Sequence, residues 1–304
     1  MGAQLRVYRR RIKSIQATKK ITKAMELISS SRIVKAQQRV NAASPYTREL
    51  ARALSAAATY GSADHPLTAQ PKDTRRAALC LVTADRGLAG AYSSNAIREG
   101  ESLTRLLAEE GKSVTPFLVG RKGLNFYRFR DRKIAGQWTG FTDQPRYEDA
   151  ETIAAALLDS FLTPADEGGV DEIHIVYTEF INMAVQRVET KRILPLEVVD
   201  EVIDAQSQRG DPFPLYEFEP SAEAVLDALL PQYIENLVWN ALLTSAASEH
   251  AARRRAMKSA TDNAEELIKS LVRQANQARQ AEITQEISEI VGGADALASA
   301  NAGG

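Results

Sequence analysis

Near the amino end, apolar residues recur at Ile12, Ile15, Ile33, Ala36, Val40 and Ala43, a three-then-four spacing that gathers them on one stripe of a helix. Midway, that stripe passes through Lys19, Thr22, Glu26 and Ser29, while Ile21, Met25 and Ile28 form a second row beside it. The helix is expected from Gln4 to about Ala58, with a bend at Ser44-Pro45, because proline disfavours helical geometry in the residue before it. The same spacing returns at Ile234, Leu237, Ala241, Thr244, Ser248 and Ala251, and resumes at Ile268, Leu271, Ala275 and Ala278, with Ile283, Ile287 and Ile290 near the end. Ser221 is placed to cap this second helix, Pro231 to kink or restart it, and Gly292-Gly293 to stop it ahead of a flexible Ala/Gly-rich tail. No Gly or Pro interrupts Ala3 to Ser44, nor the 60 residues from Gln232 to Val291. At about 1.5 Å per residue the latter stretch reaches roughly 90 Å, longer than any compact domain of this size is wide.

Between the two helices the period changes. After a loop from Gly61 to Asp73, Ala77–Val82 is a short continuous apolar run of the kind buried parallel strands show. Val114–Val119, Ile134–Trp138, Ile173–Tyr177 and Val185–Val188 are further strand candidates. Helical patterns lie between them at Ile97–Leu107, Leu124–Phe129 and Ala150–Leu162, the last ended by Pro164 and the Gly168-Gly169 turn. Alternating strands and helices predict an α/β domain with a parallel-type sheet. The expected organisation is therefore an α/β, Rossmann-like domain inserted between terminal helices that pair as a long antiparallel coiled coil. Its boundaries fall at 1–60, 61–215, 216–293 and a tail of 294–304.

Composition narrows the possibilities. The chain has 304 residues, 44% hydrophobic and 25% charged, and a net charge of −1, so no global field favours nucleic acid or a membrane surface. Residues 1–40 nevertheless carry eleven Lys or Arg against one acid, Glu26. Arg9-Arg10-Arg11, Lys19-Lys20 and Arg253-Arg254-Arg255 are expected to be solvated helix faces, since no aromatic interleaving or nucleic-acid module accompanies them. No apolar run approaches the ~20 residues of a membrane span. The single Cys80 sits in an apolar run without a disulfide or metal partner.

Candidate chemistry is sparse. Asp85-Arg86-Gly87-Leu88-Ala89-Gly90 follows a strand and precedes a helix, the right place for a dinucleotide loop, but lacks the first glycine pair of that pattern. Gly120-Arg121-Lys122-Gly123 is equally incomplete. His65, His174 and His250 lie in unrelated segments, and no nucleophile motif is present. Neither a catalytic site nor a cofactor is expected.

Three longer motifs carry a resemblance. Ile21-Thr22-Lys23-Ala24-Met25-Glu26-Leu27-Ile28, the loop Thr83–Gly90, and Ala260–Ala264 followed by Ala278–Ile287 resemble, in order and over nearly the whole chain, the signatures of the gamma subunits of rotary F-type ATP synthases. The resemblance implies a central rotor stalk. Its partners would be the alpha and beta subunits of a threefold ring, a small epsilon subunit and the membrane c-ring, with no nucleic acid and no direct membrane insertion. ATP would form in the beta subunits. Lys20, Lys23 and Met25, with Arg279, Gln280, Thr284 and Gln285, are the expected contacts with the ring, and Arg86 and Ala89 the expected loop contacts; Tyr216 and Phe218 are candidates for the membrane ring. Alanine at 89, where the family often has cysteine, implies that a thiol there is dispensable for coupling. Thr163–Gly169 is longer than in some bacterial members and carries no assigned role. The amino end does not look like a cleaved transit peptide, which points to a bacterial enzyme at the cytoplasmic face of the membrane. A structural coiled-coil tether and a nucleotide-binding α/β protein are the alternatives.

Overall fold

The computed structural model describes residues 2–60, 66–68, 74–196, 218–219 and 221–302. The elements are α1 (Gly2–Tyr60), β1 (Arg76–Val82), α2 (Tyr92–Glu109), β2 (Ser113–Val119), α3 (Arg121–Phe129), β3 (Gly136–Trp138), α4 (Tyr147–Leu162), a 3-10 turn (Ala165–Glu167), β4 (Glu172–Phe180), β5 (Gln186–Leu194) and α5 (Ala222–Ala302). The chain divides into two compact units, residues 1–28 with 254–304, and residues 29–253. Both long helices therefore contribute to both units, and the cuts fall inside them rather than at their ends.

In the unit of residues 29–253 a five-stranded sheet runs in the order β3-β2-β1-β4-β5. The first four strands are parallel, as the alternation of strands and helices leads one to expect, and β5 is antiparallel to β4 at one edge. The link from Phe180 to Gln186 is far shorter than the dozen or more residues a parallel crossover needs, and a hairpin is the only connection it allows. Alternation along β1 sorts the core. Ala77, Leu79 and Leu81 pack towards α2 and α3, whereas Ala78, Cys80 and Val82 join α4 and the nearby stretches of α1 and α5. Burial on both faces makes the strand read as an unbroken apolar run. Burial also pushes the Cys80 thiol up to about 12, so it stays protonated and inert.

The helices override three sequence signals. Pro45 and Pro231 both lie inside continuous helix. Each removes one hydrogen-bond donor from the helical ladder, and the residues one turn before them, Asn41 and Asp227, are both exposed. Nor does Gly292-Gly293 end α5, which continues to Ala302 through a run of alanines, the best helix formers. Ser221 caps α5 as expected, accepting from the Ala224 amide at 3.2 Å.

Within this unit α1 and α5 are joined by a partly buried polar ladder. Thr47 donates to the Asn236 side chain at 2.6 Å and accepts from Asn240 at 2.8 Å. Polar side chains on an otherwise apolar seam stabilise only the one register that pairs them.

Candidate coupling surfaces

The carboxyl ends of β1 and β4, where open α/β sheets bind ligands, are filled from within. Thr83 follows β1, donates to the Val119 carbonyl and accepts from the Gly123 amide, both at 2.9 Å. The Lys122 amide reaches the Ala84 carbonyl at 3.0 Å and the Arg121 amide reaches Asp85 at 3.1 Å. Three of the first amides of α3, the groups a phosphate would meet, are thus satisfied by the loop after β1. The second Asp85 oxygen accepts from Gly140 at 2.6 Å and Thr142 at 3.1 Å. The internal carboxylate of Asp85 takes the anion's place. Gly120 makes this closeness possible: its φ is +91°, and a β-carbon there would sit 2.2 Å from the Thr83 carbonyl oxygen.

Helix α5 fills the rest of the crevice. Strand β4 outruns β1, whose last partner on it is Val176, and the backbone of Thr178 turns to α5 instead. Its amide donates to Ser245 at 3.2 Å and its carbonyl accepts from Ser248 at 3.1 Å. One turn on, the Glu249 side chain is completely buried; it accepts from Arg253 at 2.6 Å and from the Thr142 hydroxyl at 3.2 Å. Arg253 also reaches the Gly87 carbonyl at 3.4 Å. Burial raises the Glu249 pKa, and Arg253 and Thr142 oppose that rise. His250 donates from Nε2 to the Asp143 carbonyl at 2.9 Å; burial lowers its pKa to about 4 and keeps the ring neutral. The Asp143 carboxylate pairs with Arg32 at 2.7 Å and with Arg86 at 3.5 Å. Sheet loops, α1 and α5 are tied together at this one point.

Two expectations change here. Ala89 is buried against Ala84, Tyr92 and Ala252, so its side chain faces inward and is no outward contact. The loop's outward residues are Arg86, 69% exposed, and Leu88, which has φ +64°. Arg253 is buried, unlike a solvated face, because it must balance Glu249. Phe218 is half-buried against the core, and Tyr216 lies outside the described residues.

In the unit of residues 1–28 and 254–304, α1 and α5 pair antiparallel through Thr22 and Thr261, 2.7 Å apart, and through Lys19 and Glu265, 2.9 Å apart. Glu26 is buried on this seam and accepts from Lys23 at 3.0 Å. Lys20, Lys23, Ile21, Leu27 and Ile28 face outward, and Met25 is half-buried. Arg279, Gln280, Thr284 and Gln285 are exposed, beside Ile283, Ile287, Ile290 and Val291, which α1 leaves uncovered. Thr284 donates to the Gln280 carbonyl at 2.9 Å and Gln285 to Glu289 at 2.8 Å. From Thr261 to Arg279 along α5 is about 27 Å at 1.5 Å per residue. The expected contacts therefore form two separate patches rather than one.

Sequence reasoning missed Asp85, Thr142, Asp143 and Glu249. The available signal was Ser245, Ser248, Glu249 and His250 crowded onto an otherwise apolar helix, which is costly unless each finds a partner.

Comparison with known proteins accounts for the whole architecture. The family model described as ATP synthase matches residues 4–297. The ATP synthase gamma chain of Kineococcus radiotolerans is 62% identical over 299 residues, 98% of each chain, and that of Thermobifida fusca is 60% identical over 306 residues, covering 100% and 99%. Among solved structures, a chain of the Euglena gracilis mitochondrial ATP synthase (OSCP/F1/c-ring, rotational state 3) has a TM-score of 0.65 at 18% identity, covering 98% of this chain and 95% of that one. A chain of the rotor of the same enzyme, in rotational state 1, gives a TM-score of 0.64 at 18% identity, with 93% and 100% covered. The chain belongs to the gamma-chain family of ATP synthases.

Proposed function

We propose that this chain is the central rotor stalk of a proton-translocating F-type ATP synthase, coupling rotation of the membrane ring to ATP synthesis and hydrolysis in the alpha/beta head. The observation that carries the mechanism is α5, one helix of 81 residues that is wedged into the sheet unit and also forms the paired-helix unit. Torque applied to the sheet unit enters α5 through Ser245, Ser248, Glu249 and Arg253. The chain has no catalytic site of its own, and ATP forms in the beta subunits. Lys20, Lys23 and Met25, and separately Arg279, Gln280, Thr284 and Gln285, bear on the surrounding ring; Arg86 and the loop around it meet acidic segments of beta. Mixed polar and apolar faces suit a part that contacts three equivalent partners in succession, because tight fit to any one would stall the turn. The epsilon subunit and the c-ring bind the sheet unit. No helix among the described residues is long and apolar enough to cross a membrane, which fits peripheral attachment, here at the cytoplasmic face.

Asp85 in the anion corner argues against a nucleotide-binding alternative. Affinity purification of the tagged chain from membranes tests the proposal. Alpha, beta and epsilon subunits with ATPase activity are expected in the eluate; elution of the chain alone would reject it.

A further inference from the structure

Helix α3 and the turn after it carry a surface that the coupling contacts do not use. From Arg121 to Lys133 the sequence holds six cations against one acid, Asp131, in a chain whose net charge is −1. Phe129 is the most exposed large apolar residue described, at 89%. Arg128 and Lys133 are exposed around it, and Arg130 lies over the Phe126 ring with its guanidinium carbon 3.7 Å from the centroid. Among the described residues Arg132 is neutralised by a bidentate pair with Glu101, and Arg121, at the far end of α3, lies 3.8 Å from Asp85. Arg128 meets the neutral Gln137 at 2.9 Å, so its charge is not cancelled.

We infer that this patch contacts the headgroups of anionic phospholipids. Guanidinium groups bind phosphate oxygens in pairs, and one aromatic ring among cations is the composition of an interfacial contact rather than of a protein hot spot, which sits in an apolar pocket. Phe129 has no such pocket around it. The contact lies at headgroup level and needs no spanning segment. The choice of lipid over a stationary protein rests on the rotor reading, because a fluid headgroup layer has no angular register to resist a turning surface. The test does not rest on it.

Cys80 is fully buried, so Phe129→Cys in the full chain offers one reactive thiol for an environment-sensitive fluorophore, with Ala155→Cys on α4 as the control. Because residues 1–40 are themselves basic, the readout is local: the emission of the label at 129. A blue shift is expected on phosphatidylserine/phosphatidylcholine vesicles, absent on pure phosphatidylcholine and absent at Ala155→Cys. Each headgroup cation contributes about fivefold in partitioning, so adding Arg128→Gln, Arg130→Gln and Lys133→Gln should weaken the shift's vesicle dependence by about 100-fold. No shift at 129 on anionic vesicles, or a change under threefold in the triple variant, overturns the inference. So does a shift produced by soluble alpha/beta head and not by vesicles, which would assign the patch to a protein. These results leave the affinity purification untouched, so the two readings fail independently.

Discussion

Removing the Glu249 carboxylate should be among the most damaging single changes in the sheet unit. Glu249→Ala strands the Arg253 guanidinium, which is 7% exposed and whose other hydrogen bond among the described residues is to the Gly87 carbonyl at 3.4 Å. It also takes away the acceptor of the Thr142 hydroxyl, whose own oxygen holds the Asp85 amide at 2.9 Å. Breaking a buried pair from one side costs about 3–5 kcal/mol, mostly the desolvation of the charge left behind. Arg253→Met should cost a similar amount for the mirror-image reason. The double variant Glu249→Leu/Arg253→Met leaves no stranded charge and should be less destabilised than the sum of the singles by about 2 kcal/mol or more. Urea unfolding of the full chain, monitored in the near-ultraviolet, measures all three against the parent. A loss below about 1 kcal/mol for Glu249→Ala, or strict additivity in the double variant, would refute the assignment of this pair as a buried, mutually dependent lock.

Other consequences are equally measurable. His250 is held neutral, with its pKa lowered to about 4; an unfolded chain binds that proton near pH 6.5, so stability falls as pH drops from 6.5 towards 4. Between pH 7.5 and 5 this amounts to about 2 kcal/mol, which His250→Gln should remove from the pH dependence of unfolding. Gly120→Ala combines a left-handed backbone with a contact at 2.2 Å and should cost more than about 3 kcal/mol, visible as loss of soluble, cooperatively melting protein. Met25→Lys adds a cation to a face that already carries Lys20 and Lys23; ATPase should persist while protons pumped per ATP decline, and an unchanged ratio would remove Met25 from the coupling surface.

Much of the frame was legible because its physics is local. Apolar spacing marked both helices, and the runs Ala77–Val82 and Ile173–Tyr177 marked the central strands. What escaped depends on tertiary partners. Pro45 and Pro231 sit in continuous helix with exposed residues, Asn41 and Asp227, one turn before them, and no local pattern reveals on which side those residues lie. The role of Asp85 was equally hidden: it takes amides from Arg121, Gly140 and Thr142, far apart in sequence. The glycines of the surrounding motif suggest a phosphate loop, whereas the fold uses the aspartate. The place of Ala89 in the loop suggests an outward contact, and packing against Ala84, Tyr92 and Ala252 turns it inward. Arg253 reads in the sequence as part of a solvated helix face, and its burial follows from a partner four residues earlier, Glu249, that no local pattern marks.

Rotation itself is the most direct test. With Cys80 inaccessible, Leu106→Cys on the outer side of α2 gives one exposed thiol for a bead, and the alpha/beta head can be fixed to glass. On addition of ATP the bead is predicted to turn in one direction with three dwell positions per revolution. A bead that stays still while the same complexes hydrolyse ATP would contradict the account.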